Sequence, residues 1–307
     1  MGLATSGLKW MVLDRSIIMT TKTRPDVYQI ITDRIISELE KGSVPWHKPW
    51  SGGRSGIPDQ NLISGKPYQG INVILTSMAG FSSPYWLSFK QVKAKGGNVI
   101  KGSKGTPVVY YKMLDKKDKI TGEIIGTIPM IRYSTVFNLD QTTDVKGVPE
   151  IKEPEEKTVN EQLASCEKII NEMPDTMPKV THNEQRAYYQ PVSDEINLPK
   201  METFDGSTEY YSTFFHEAVH ATGHKSRLDR DTITEMNGYK SKSYSKEELI
   251  AEIGASFLNG EAGILNHVIE NSTAYIAAWL KRLKDDKKLI VSASGKAQKA
   301  VNYLLNI

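Results

Sequence analysis

Apolar residues at Val27, Ile30, Ile31, Ile35 and Leu39 recur at the three- and four-residue intervals of a single helix face, between Pro25 and Gly42. That spacing predicts an amphipathic helix over 25–42. An irregular segment, SVPWHKPWSGG, follows, and then an apolar run containing Ile71, Val73, Ile74 and Leu75. YWLSFKQVKAKGGNVIKGSKGTPVVYYKM reads as a short helix, a glycine-rich turn and a strand over 106–112. Residues 140–160, DQTTDVKGVPEIKEPEEKTVN, are rich in Pro, Glu and Lys and hold little to bury, the composition of a linker. Beyond it, helical patterns run over 161–173, through FFHEAVHATG with Ser207 or a neighbour as the expected cap, and through SYSKEELIAEIGASFLNG, NSTAYIAAWLKRLKDD and SGKAQKAVNYLLNI. AYYQPVSDEINLP reads as extended, turning at Ser193 and Asp194. The order predicts an α+β protein. An extension over 1–19 precedes a small N-terminal α+β domain over 20–139, a linker over 140–160 and a mainly helical domain over 161–307.

A length of 307 residues agrees with two domains rather than one core. The single cysteine, Cys166, cannot form an internal disulfide, and no apolar run approaches the roughly 20 residues that span a bilayer. Asp14 and Arg15 interrupt the stretch that a signal peptide keeps apolar. The expectation is a cytoplasmic protein with no membrane partner.

The helix through FFHEAVHATGHKSRL carries chemistry. Residues four apart share a helix face, so His216 and His220 can turn imidazole nitrogens to one ion while Glu217 stands beside it. Phe214, Phe215, Ala218, Val219 and Ala221 make this helix too apolar for a solvated surface, and buried histidines and a buried glutamate need partners. A catalytic zinc takes a third protein ligand, and EELIAEIG supplies Glu248 and Glu252 on one face. Glu248 is the expected ligand and Glu252 the expected acceptor from a ligand histidine; the reverse assignment stays open. Ser245 stands three residues before Glu248, so a capping box is the competing role for that carboxylate. His224 is displaced from the spacing of a third histidine ligand. One Zn²⁺ per chain is the expected cofactor, with another divalent metal as the alternative. Glu217 would act as the base toward water whose pKa the ion lowers to about 7. Tyr188 or Tyr189, in the extended segment, is a weaker candidate donor to the oxyanion.

Charge separates the two halves. Between Thr20 and Lys117, fifteen cations face six carboxylates, a balance of +9 in a chain whose total is +3, which leaves about −6 for the remainder. A polyanion partner for the first half follows from this asymmetry. Aromatic residues are interleaved with the cations, the composition that stacks and neutralises a single nucleic-acid strand. The candidate contacts are Trp46, Lys48, Trp50, Tyr68, Tyr85, Lys90, Lys93, Lys101 and Lys104, while Trp86 and Phe89 are expected in the core.

VPWHKPW, GKPYQGINVILT, SPYWLSFKQVKAKGGNVIKGSKGTPVVYY and VFNLDQ resemble the N-terminal single-stranded-DNA-binding domain of the ArdC family of antirestriction proteins. AYYQPVSDEINLP, YYSTFFHEAVHATGHKSRLDR and YSKEELIAEIGASFL resemble that family's C-terminal zincin-like metallopeptidase domain. The resemblance covers residues from about 20 to 258. It implies a protein of a mobile element that binds incoming single-stranded DNA and helps it escape restriction. It also implies metal at His216 and His220 with a downstream glutamate, and catalysis by Glu217. The peptide or protein substrate is left unspecified. Two alternatives stand beside this reading: a single-strand shield with an inactive or structural zinc domain, and a DNA-tethered protease that clears DNA-bound proteins.

Overall fold

The apolar face predicted over 25–42 forms helix α1 (Val27–Glu40), which buries Ile31, Ile35 and Leu39. Its N-cap is Asp26, whose carboxylate accepts the backbone N–H of Tyr28 at 3.0 Å and so satisfies one of the orphan donors of the first turn. The computed structural model describes residues 26–47, 57–150, 158–234, 242–264 and 273–307. The expected extension over 1–19, Lys48 and Trp50 lie outside them.

After α1 the chain makes a short 3₁₀ turn, Pro45–His47. A sheet then gathers β1 (Gln60–Asn61), β2 (Tyr85–Ser88), β4 (Thr106–Lys117) and β5 (Ile124–Asn138) in the order β1-β2-β5-β4. Only β1 and β2 run parallel. The apolar run at 71–75 forms helix α2 (Ile71–Met78), which lies over this sheet and fastens to it through Asn72: its amide brackets Val109, accepting that residue's N–H at 2.7 Å and donating to its carbonyl at 2.8 Å. The expected short helix is α3 (Phe89–Ala94), closed by a capping box between Ser88 and Gln91. The strand expected over 106–112 continues to Lys117 and pairs with β5 as a long two-stranded ribbon.

The first residues of the stretch expected as a linker over 140–160 form regular structure. Leu139–Gln141 is a 3₁₀ turn capped by Asn138, and β6 (Thr142–Thr143) pairs with β3 (Asn98–Val99). Two side-chain hydrogen bonds draw this stretch into the fold: Asp140 accepts from the backbone of Ser82, and Gln141 donates to the carbonyl of Lys104.

The second half opens with α4 (Val159–Asn171), capped by Thr158 and Glu161. A three-stranded sheet follows, with β7 (Val180–Thr181), β8 (Tyr188–Gln190) and β9 (Glu195–Asn197) in the order β7-β9-β8. Asp194, at φ +51°, makes the expected turn. Then come α5 (Ser207–Ala221), α6 (Asp231–Thr234), α7 (Lys242–Ala262), α8 (Thr273–Asp285) and α9 (Leu289–Leu304). Gly206, not Ser207, caps α5, and it has no side chain to offer the first turn. Because α7 begins at Lys242, Ser245 is inside the helix and cannot form the capping box with Glu248.

One hydrophobic core runs through both halves. Ile31, Ile35 and Leu39 of α1, Trp46, and Ile71, Ile74 and Leu75 of α2 belong to the same cluster as Phe215, Leu249, Ile253, Trp279 and Ile290. Trp86, Val108 and Val136 form a small separate cluster in the N-terminal sheet.

Candidate metal centre

Two helices build the centre, and a glycine decides how closely they cross. At Gly254 of α7 a Cβ would stand 2.8 Å from Cγ2 of Val219 on α5, so the bare backbone lets the two helices meet there. The approach brings α5's inward residues opposite the first carboxylates of α7. His216, His220 and Glu248 each offer one ligand atom, and these atoms lie within 4.8 Å of one another. The Nε2 atoms of His216 and His220 are 3.1 Å apart, and the Glu248 oxygens lie 3.6 Å from the first and 3.5 Å from the second. Donors held at about 2.0–2.2 Å from a tetrahedral ion are separated by roughly 3.3–3.6 Å. The two carboxylate–imidazole separations fall in that range and the imidazole pair stands slightly closer, and the donor set, two imidazoles and a carboxylate, suits a divalent cation in its chemistry.

Three carboxylates act on His216. Burial favours the neutral form of His216, but the Glu248 carboxylate 3.6 Å away and the charges of Glu217 and Glu252 prevail and raise its pKa to about 9. Burial also opposes the charge of Glu248, yet the two histidines hold its pKa below the usual glutamate value. Glu217 is buried next to them.

His220 is oriented from behind by a residue that sequence reasoning missed. Its Nδ1 lies 3.3 Å from Oε1 of Glu247, a fully buried carboxylate. Glu247 in turn accepts from Arg230, whose Nε is 3.2 Å from Oε2, and from the hydroxyl of Thr232. Burial would push Glu247 up, but His220 and Arg230 hold it at about 2. Arg230 also donates to the hydroxyl of Thr222 at 2.6 Å and to the carbonyl of Val219 at 2.7 Å. Gly223 leaves room for that guanidinium, since a Cβ there would meet its Nη2 at 2.7 Å. The signal was present in HEAVHATG and EELIAEIG, as a glycine just past the histidines and a second adjacent glutamate.

Glu252 does not take the expected place behind a ligand histidine. One turn beyond Glu248, it faces the N-terminal segment: its Oε2 accepts Trp46 Nε1–H at 3.0 Å and the hydroxyl of Tyr275, with His47 Nε2 at 4.0 Å. Burial and the Glu252 charge raise the pKa of Tyr275, which keeps its hydroxyl a donor. His224 bonds Ser226 at 2.8 Å and stands apart from the trio. Tyr189 is buried and donates to Asp194 at 2.8 Å, while Tyr188 donates to Glu184 at 3.2 Å.

Several expected strand-binding rings are not accessible. Trp46 is fully buried between α7 and α8, edge-on to Trp279 at 5.8 Å, and Tyr85 is buried in β2. Proline and glycine beside a ring mark a turn, and here the 3₁₀ turn tucks Trp46 into the core. Tyr68 is half-buried, and burial pushes its hydroxyl up to about 12. Lys90, Lys93, Lys101 and Lys104 are exposed, with Lys93 bonded to Asn98 and lying over the Phe89 ring. Phe89, expected in the core, is exposed, as are Tyr110, Tyr111 and Tyr133. Among the described residues no helix is long and apolar enough to cross a membrane.

Comparison with known proteins matches two stretches of the chain to family models. Residues 25–137 match the N-terminal domain of anti-restriction factor ArdC, and residues 165–296 match a zincin-like metallopeptidase domain. A crystal structure of the metal-free antirestriction protein ArdC from plasmid R388 is 38% identical with a TM-score of 0.71, covering 91% of this chain and 97% of that one. A Mn(II)-bound structure of the same protein is 37% identical with a TM-score of 0.70, covering 92% of this chain and 98% of that one. A DNA primase TraC of Escherichia coli is 34% identical over 91% of this chain, but the chain spans only 20% of that relative's length, and 27% of a second TraC.

Proposed function

The chain belongs to the ArdC family of antirestriction proteins, and from that premise we propose that it binds single-stranded DNA entering a cell and carries a zinc-dependent peptidase centre. The observation that carries the second part is the convergence of His216, His220 and Glu248 beside a buried Glu217. His216, His220 and Glu248 would hold the ion, with zinc assigned from the two imidazoles and one carboxylate. When bound, such an ion supplies Lewis acidity and lowers the pKa of water to about 7. Glu217 holds the proton taken from the attacking water and returns it to the leaving amine. Glu247 fixes the tautomer and ring angle of His220. The peptide or protein substrate is unspecified, and the cytoplasm is the assigned compartment.

Glu217→Gln keeps the side chain's shape and loses its basicity. The variant should retain metal content and oligonucleotide binding while peptide cleavage falls by about 10² to 10⁴. The first substrates to assay are the chain's own 140–160 segment, restriction subunits and other DNA-bound proteins. Cleavage by the amide variant at the wild-type rate would remove Glu217 from the mechanism. A second reading, a single-strand shield whose metal domain is a scaffold, is favoured by the Trp46–Glu252 bond and the shared core. Under that reading Glu217→Gln protects transferred DNA as well as wild type does; loss of protection rejects it.

A further inference from the structure

The pairing of β4 with β5 separates two faces. Residues directly opposite in an antiparallel pair share a face, and alternate residues along a strand share it too. Val108 stands opposite Ser134 and Thr106 opposite Val136, and on this face Val108, Val136 and Trp86 form the small N-terminal cluster. Continuing outward, the same face carries Tyr110 opposite Arg132, Lys112 opposite Met130, Leu114 opposite Ile128, and Lys116 opposite Gly126. Three cations therefore line it, with no carboxylate. Tyr110 is 47% exposed and Ile128 is 50% exposed among them. Among the described residues no carboxylate forms an ion pair with Lys112, Lys116 or Arg132.

The opposite face is held by the body of the protein. It carries Val109, clasped by Asn72 and buried in the main core, then Ile131, which packs on that core, and Tyr111, which lines one cavity with Tyr28 of α1. Asp115 lies on that side as well. The ribbon is thus anchored on one face and presents a cationic, ring-bearing stripe on the other.

We propose that this outer face, Tyr110 with Lys112, Lys116 and Arg132, is the surface that grips a single strand, a base stacking on Tyr110 while the three cations meet phosphates. The proposal rests on the reading of the chain as a single-strand binder and adds where the strand lies. It replaces the buried rings of Trp46 and Tyr85 with one that solvent reaches, Tyr110.

The test titrates the full chain with fluorescent oligothymidine at several salt concentrations. Tyr110→Ala should weaken binding by about 5- to 100-fold. Lys112→Gln/Lys116→Gln/Arg132→Gln should reduce the magnitude of the log–log salt slope by about 2, at roughly 0.7 for each phosphate left without its cation. Met113→Ala, an exposed change on the anchored face, serves as the control and should leave affinity unaltered. Melting curves matching wild type establish that the variants fold. If wild type binds and both outer-face variants bind equally well, the ribbon assignment is wrong and the single-strand reading stands. If wild type does not bind oligothymidine, the reading itself falls. If light scattering finds a wild-type dimer that the variants lose, with oligonucleotide affinity unchanged, the face joins two copies and the proposal is overturned.

Discussion

His220 turns Nε2 toward His216 and Glu248 and Nδ1 toward Glu247, so both ring nitrogens are committed. Glu247 is locked by Arg230 and Thr232, and its charge is compensated where water cannot reach. Glu247→Gln should therefore lower metal affinity by about 10- to 100-fold without removing a ligand. It leaves the Arg230 guanidinium short of its counter-charge, and breaking a buried pair costs about 3–5 kcal/mol. Chelator competition separates the two effects, since a variant that melts earlier yet holds metal like wild type would reduce Glu247 to a structural role. At this scale the sequence was legible where neighbours along one helix come together in space, as His216 and His220 do. It was not legible for Glu247 and Glu252. Their partners, Arg230 on one side and Trp46 with Tyr275 on the other, come from distant segments, and the helical repeat alone does not say which face meets which.

The crossing of α5 and α7 is set by a residue that helix propensity disfavours. Glycine within a helix costs about 1 kcal/mol relative to alanine, and Gly254 stands mid-helix against the fully buried Val219. Gly254→Val should push the helices apart, with about 1–3 kcal/mol of overpacking, and weaken metal binding by drawing Glu248 away from the histidines. Val219→Ala in the same chain should recover part of both losses, because the two side chains compete for one space. Additive destabilisation in that cycle would place the strain elsewhere. The helices themselves were readable from their apolar spacing. The ribbon was less so: the pattern of TPVVYYKMLDKK predicts a strand only to Lys112, since polar alternation beyond it carries no sign of burial. The register of β4 on β5 is what shows which of those residues share a face.

Across the whole molecule, the Pro-, Glu- and Lys-rich composition of 140–160 does not separate two cores, because one cluster holds residues from both sides of it. Amphipathic α1 was visible in the sequence, but its partners, α8 and α9, lie more than 200 residues away, and nothing in its spacing identifies them. Beyond apolar packing, Thr32 donates to the carbonyl of Lys287 at 2.7 Å, the backbone N–H of Gly70 donates to Gln298 at 2.9 Å, and Trp46 reaches Glu252 at 3.0 Å. A fragment of residues 26–150 would expose Ile31, Ile35, Leu39, Trp46, Ile74 and Leu75, all buried in the full chain. At about 1.5–3 kcal/mol for each large apolar side chain buried, losing that cover exceeds the net stability of most domains. The fragment is expected to bind a hydrophobic dye and to melt without a sharp transition, whereas the full chain unfolds in one step. Co-expression with residues 158–307 should restore a soluble complex that retains oligothymidine binding and metal. A cooperative melt of the isolated 26–150 fragment, with full oligonucleotide affinity, would mean that the N-terminal half has a sufficient core of its own and that the Trp46–Glu252 bond is dispensable for holding it.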